Sequence, residues 1–198
     1  MYKYIMLFFL FFLSNRIMGQ SDTVNVIDSL GRKQGLFRSK MVGAKTYLYS
    51  IENYLDDIRN GKCIYYYDNG QILTIAHYLR DTLHGEKTTY REDGTLFQIE
   101  NFKMGQLHGL KKYFDYTGKL VDEVEYKEDV SNGIVRAYYP SGRIRSETQV
   151  LDGLENGTRK IFADTEVNEI TREFDFKDGL RIKSRFYSNG KLIKEEKE

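Results

Sequence analysis

Residues 85–109 read GEKTTYREDGTLFQIENFKMGQLHG, a stretch that opens and closes on glycine. Its spacing recurs along the chain. Gly61, Gly85, Gly109, Gly133 and Gly157 stand 24 residues apart, preceded by Asn60, His84, His108, Asn132 and Asn156. A second glycine follows nine residues after the first, at Gly70, Gly94, Gly118 and Gly142; that series misses at Glu166 and returns at Gly190. A fixed period of this size marks a repeat array, in which each unit buries its apolar surface against its neighbours.

Each repeat is numbered here from its first glycine as position zero. Position five is aromatic: Tyr66, Tyr90, Phe114, Tyr138, Phe162 and Phe186. Position eleven is aliphatic at Ile72, Leu96, Leu120, Ile144 and Leu192, with Asn168 the exception. Position seventeen holds Tyr78, Phe102, Tyr126, Val150 and Phe174. Odd positions recurring as apolar give the period of two that marks strands. Between five and eleven lie turn residues such as Asp68-Asn69-Gly70 and Glu92-Asp93-Gly94. A three-residue hairpin loop takes a type I turn followed by a left-handed residue, which glycine supplies without a Cβ clash. This loop sets five opposite eleven, so Tyr66, Tyr90, Phe114 and Tyr138 face Ile72, Leu96, Leu120 and Ile144. The expected fold is all-β: an elongated meander of antiparallel hairpins forming a single twisted sheet, with these pairs as one packed apolar ladder.

Extending the same register puts position four opposite twelve on the other face. Tyr65 then faces Leu73, Thr89 faces Phe97 and Tyr113 faces Val121, whereas Ala137 faces Arg145 and Ile161 faces Glu169. The second face is thus apolar in the first half of the array only. Tyr65, Leu73, Phe97, Tyr113 and Val121 are the candidate partner-binding residues, because contiguous exposed apolar patches on soluble proteins mark contacts.

The recurring Asn/His-Gly, the position-five aromatic and the Asn/Asp-Gly turn resemble MORN-type repeats, and most closely the bacterial variant labelled YwqK-family antitoxin. Leu107-His108-Gly109 is the most MORN-like piece, and the likeness extends over residues 31–193. The resemblance implies a meander of hairpins used for binding or scaffolding, with no cofactor and no catalytic residues. The antitoxin label implies neutralisation of a partner toxin, usually in the cytosol.

The N-terminus points elsewhere. Lys3 is followed by an unbroken apolar run from Ile5 to Leu13 and a small residue at Gly19. That is the pattern of a secretory signal peptide, too short to span a bilayer. The expected organisation is a signal peptide at 1–19, a worn capping region at 20–60, and an array at 61–198 with repeats starting near 61, 85, 109, 133, 157 and 181. Gly35 sits two residues early for the repeat, which implies a longer first hairpin loop. A small insertion near Glu166 disturbs the repeat that starts at Gly157.

Composition fits this reading. The 198 residues include 16 Tyr, 12 Phe and 17 Gly but one Pro and no Trp. Tyr and Phe favour strands and Gly favours turns. Thirty Lys+Arg against 29 Asp+Glu argue against a nucleic-acid binder, which needs a basic stripe. Lys87, Lys111, Lys112, Arg136, Arg159 and Lys160 form a candidate basic row that would suit a membrane surface unless nearby acids neutralise it. Cys63 is the single cysteine, so no internal disulfide forms. His84 and His108 lie two strands, or about 9.5 Å, apart, too far to share a metal without leaning together. No catalytic, cofactor or metal residues are assigned. The sequence reads as an exported non-enzymatic scaffold that binds another protein in the bacterial envelope. The alternatives are an immunity-like antitoxin outside the cytosol, or a lipid- or glycan-contacting module.

Overall fold

The computed structural model describes residues 24–42 and 46–198. The signal-peptide segment at 1–19 and the first hairpin loop at 43–45 lie outside the described residues. Among those described there is no helix, and 17 strands form one open antiparallel sheet. Each strand pairs with its neighbours in the chain. The last strand, Lys191–Lys197, is paired on one side only. Its run of lysines and glutamates discourages further edge pairing.

The hairpin ladder holds as expected through four repeats: Tyr66 pairs with Ile72, Tyr90 with Leu96, Phe114 with Leu120 and Tyr138 with Ile144. The loop closes with Tyr67 N–H donating to Gln71 O at 2.8 Å and Gly70 N–H to Tyr67 O at 2.9 Å. The ladder is not a buried core, however. Its residues are half-buried, and among the described residues the only buried apolar side chains are Cys63, Ala76 and Ala137. A single layer has nothing stacked on either face, so the large apolar side chains stay partly open to solvent.

One step beyond the ladder the register changes. Tyr65 pairs with Thr74, Thr89 with Gln98, Tyr113 with Asp122 and Ala137 with Ser146. Position four therefore faces thirteen rather than twelve. Leu73, Phe97, Val121 and Arg145 are the extra residue of a β-bulge, which adds one residue to one strand and increases the local twist.

A larger bulge explains the 24-residue glycines. His77, Glu125 and Gln149 each stand opposite three residues of the next strand, centred on Gly85, Gly133 and Gly157. The same position-sixteen side chain ties down the residue after the glycine. His77 Nδ1 lies 3.0 Å from Glu86 O, and Asn101 Nδ2 donates to Leu110 O at 2.7 Å. Glu125 accepts from Ile134 N–H at 3.3 Å and Gln149 from Thr158 N–H at 3.2 Å. Gly109 has φ 100°, and a Cβ there would sit 3.5 Å from the Asn101 side chain. The backbone conformation is what demands glycine, since an L-residue is strained at that angle.

The opposite side of the sheet turns on two-residue hairpins: Asp56-Asp57, Arg80-Asp81, Met104-Gly105, Glu128-Asp129, Asp152-Gly153 and Asp178-Gly179, with positive φ at both residues. These have the type I′ signature that matches strand twist. Asp81 occupies a strained position, yet its N–H donates to Arg59 O at 2.9 Å and its carboxylate accepts Arg59 N–H at 3.0 Å. Asp57 and Asp129 bind Lys33 and Leu107 in the same way. Where the second turn residue is Gly105, Gly153 or Gly179, its N–H donates to Leu83, Ser131 or Glu155, and the first turn residue adds a bond to His84, Asn132 or Asn156. Each turn is thereby fastened to the strand about one repeat behind it.

The ends depart from the rule. In the first hairpin, Gly35 stands opposite Tyr54 as Gly61 stands opposite Tyr78. Its extra residues lengthen the strands through the pairs Met41–Tyr47 and Val42–Thr46. The insertion near Glu166 lies in the loop between Phe162 and Ile170, which pair directly. In the last hairpin Tyr187, not Phe186, faces Leu192, because Asn189-Gly190 forms a two-residue turn with φ of 48° and 70°.

Two substitutions test this arrangement by denaturant midpoint. Phe114→Ala is expected to cost about 1.5–2.5 kcal/mol, about half the price of a fully buried ring. Gly109→Val is expected to cost about 2 kcal/mol, because a β-branched residue resists positive φ. An unchanged midpoint for Gly109→Val would contradict the bulge.

Candidate partner-binding face

Phe97 and Tyr113 come together on one face of the sheet, ring centroids 6.3 Å apart in an edge-to-face pair. That geometry suits the ring quadrupoles. Phe97 is 37% exposed although it leads a strand. Arg91 fixes its place. The Arg91 guanidinium donates to Leu96 O at 2.9 Å, Asp115 O at 2.9 Å and Phe114 O at 2.6 Å. It also lies 4.8 Å from the Phe97 ring and 4.4 Å from the Tyr116 ring, sandwiched between them. Tyr116 itself is 82% exposed. One arginine thus clamps two successive hairpins and lies over two aromatic rings near the surface, with cation–π attraction added to its hydrogen bonds.

The other candidate residues are more dispersed. Tyr65 and Tyr113 are equivalent residues two repeats apart, or about 19 Å across the strands. Tyr65 is half-buried, and its hydroxyl donates to Glu52 at 2.8 Å. Glu52 also accepts from Tyr54 at 3.2 Å and Ser50 at 3.3 Å. Burial and the Glu52 charge push the Tyr54 phenol up to about 12, and burial raises Tyr65 as well. Leu73 and Val121 are half-buried bulge residues. The structure therefore joins Phe97 to Tyr113 and sets Tyr65 in a separate polar network. Arg91 carried no signal by its residue type. Its position did: Tyr67 and Tyr139, one residue past the ladder aromatic like Arg91, donate to Tyr90 O at 3.0 Å and Phe162 O at 2.8 Å in the next hairpin.

Five of the six residues of the basic row are neutralised locally, Lys160 being the exception. Lys87 and Lys111 flank Glu100 at 3.1 and 3.0 Å, Lys112 pairs with Glu123 at 3.1 Å, and Arg136 with Glu147 at 2.9 Å. Arg159 pairs with Glu155. Glu100 is buried, and Gln98 Nε2 donates a further bond to it at 3.0 Å. Cys63 is buried, and desolvation pushes its thiol up, away from the reactive thiolate. Among the described residues no three His, Cys, Asp or Glu side chains gather as a metal site. His84 instead accepts the Met104 N–H at 3.4 Å.

With this geometry in place, the comparison with known families is direct. Residues 59–79, 83–104, 107–128 and 131–152 match the family model described as the MORN repeat variant. These are four tandem matches to one repeat unit, spanning residues 59–152. Each match begins two residues ahead of Gly61, Gly85, Gly109 or Gly133 and runs to the next type I′ turn. MORN repeats are in general non-catalytic modules that bind proteins or membranes. No curated protein matches the chain.

The Tyr54–Glu52–Tyr65 network gives a pH dependence. A phenol with a raised folded pKa contributes stability that is complete below the unfolded value of 10.0 and lost as pH rises towards the folded value of about 12. The denaturant midpoint is expected to fall between these two pH values, and Glu52→Gln to make that fall shallower. An identical profile for Glu52→Gln would contradict the network.

Proposed function

We propose that the chain is an exported, non-enzymatic repeat scaffold whose Phe97–Tyr113 face binds another protein in the bacterial envelope. The observation that carries this reading is the Arg91 clamp, which holds Phe97 and Tyr116 rigid while both remain open to solvent. Rigid, amphipathic rings supply contact area at small entropic cost and dominate binding hot spots. Family membership of the four central repeats supports a binding role. Export rests on the apolar run from Ile5 to Leu13 behind Lys3.

The test uses the full chain expressed in its native host. The protein is expected in envelope fractions, beginning near Gln20. Phe97→Ser combined with Tyr113→Ser is expected to weaken partner capture at least tenfold while the hairpin ladder stays folded. Capture that survives the double change overturns this face as the interface. The antitoxin-like alternative is favoured instead if the captured protein arrests growth when expressed alone and this chain relieves the arrest. Retention on anionic liposomes that is lost in salt favours a lipid-contacting module.

A further inference from the structure

The lateral row that carries Tyr65 and Tyr113 changes character at Ala137. In the earlier repeats a phenol stands opposite Thr74 or Asp122, whereas Ala137 stands opposite Ser146. Two small residues leave an open groove of about 460 Å³ beside them. Val135 and Ile161 supply its apolar surface, and Tyr139 flanks it, fixed by the bond from its hydroxyl to Phe162 O at 2.8 Å.

The polar groups in this groove are incompletely used. Arg159 lines it but is already committed, paired with Glu155 and lying 5.1 Å over the Phe176 ring. Arg145 occupies the bulge position held by Leu73, Phe97 and Val121 in earlier repeats, and it makes no ion pair or side-chain hydrogen bond among the described residues. The hydroxyls of Ser146 and Thr148 also line the groove and make no hydrogen bond to another side chain or to the backbone among the described residues. The Arg145 guanidinium, which lies in the field of the Asp122 carboxylate but makes no ion pair, and two hydroxyls therefore line an apolar cleft.

We propose that this groove receives the carboxylate of an Asp or Glu carried on an extended segment of the protein partner, with aliphatic neighbours resting on Val135 and Ile161. The inference deepens the scaffold reading and rests on it. The chemistry selects a carboxylate. One unpaired guanidinium matches one negative charge, and its planar fork binds a carboxylate bidentately. Ser146 and Thr148 can donate to the remaining lone pairs. A phosphate dianion is disfavoured, because Asp122 and Glu155 stand close by with negative charge and no second free cation lines the groove. The apolar floor suits side-chain carbon rather than a hydrated ion.

The experiment titrates the ¹⁵N-labelled full chain with two blocked peptides, acetyl-Ala-Val-Glu-Val-Ala-amide and its Gln counterpart. The Glu peptide is expected to shift the amide signals of Val135, Ser146, Thr148 and Ile161 saturably, and the Gln peptide to bind at least tenfold more weakly. Arg145→Gln is expected to erase that difference with spectral changes confined to the groove and Asp122, since Arg145 makes no ion pair or side-chain hydrogen bond among the described residues. Equal binding of both peptides, or Glu selectivity that survives Arg145→Gln, overturns the proposal. So does an Arg145-dependent response to phosphatidylglycerol vesicles without one to the Glu peptide, which would make the groove a lipid contact. Peptide failure with partner capture through Phe97 and Tyr113 intact overturns the groove alone. Peptide binding with no such capture supports the groove and counts against the aromatic interface.

Discussion

A sheet with no second layer has to be held strand by strand. Among the described residues only Cys63, Ala76 and Ala137 are buried apolar side chains, so no shared core ties distant parts of the array together. What replaces it is a set of local fastenings repeated at each hairpin. The position-sixteen side chain pins the bulge, as Asn101 does at Leu110. The type I′ turn docks on the strand behind it, as Asp81 does on Arg59. The residue after the ladder aromatic reaches forward, as Arg91 does to Phe114 and Asp115. These fastenings work only if bulge, turn and ladder recur in step. The 24-residue period is the consequence, and repeat arrays of this kind derive their stability from nearest neighbours.

The same period turns substitutions into surface design. Positions four and twelve lie on the face that the fastenings leave open, so they can vary without breaking the stack. In the repeat starting at Gly109 they are Tyr113 and Val121, and Phe97 from the previous repeat packs on Tyr113. One repeat later they are Ala137 and Arg145, and a groove appears beside them. A surface of rings and a cleft beside Arg145 are thus adjacent products of one scaffold.

The hairpin loops and the Tyr66–Ile72 type of pair were legible because turn glycines and alternating apolar residues report local backbone geometry directly. The bulge at Leu73, Phe97 and Val121 was not, because any side chain can occupy it. Simple alternation therefore slipped by one residue beyond the ladder. The turns at Arg80-Asp81 and Glu128-Asp129 were hidden for another reason: they lack glycine and offset the strain with carboxylate bonds to a distant strand. Gly190 keeps the glycine spacing, yet Asn189-Gly190 is a two-residue turn that moves Tyr187 into the ladder. At the site, Phe97 and Tyr113 were legible as residues of one face, but the Arg91 clamp is a tertiary fact.

Native-state hydrogen exchange on the full chain tests the central claim, that nearest-neighbour fastenings rather than a common core hold the array. Amides in the central strands Leu96–Lys103 and Leu120–Lys127 are expected to open at the highest free energy. Opening free energies should fall stepwise, hairpin by hairpin, towards Leu180–Ser188 and Lys191–Lys197. A single opening free energy shared by all these strands would mean one cooperative core and would contradict the account.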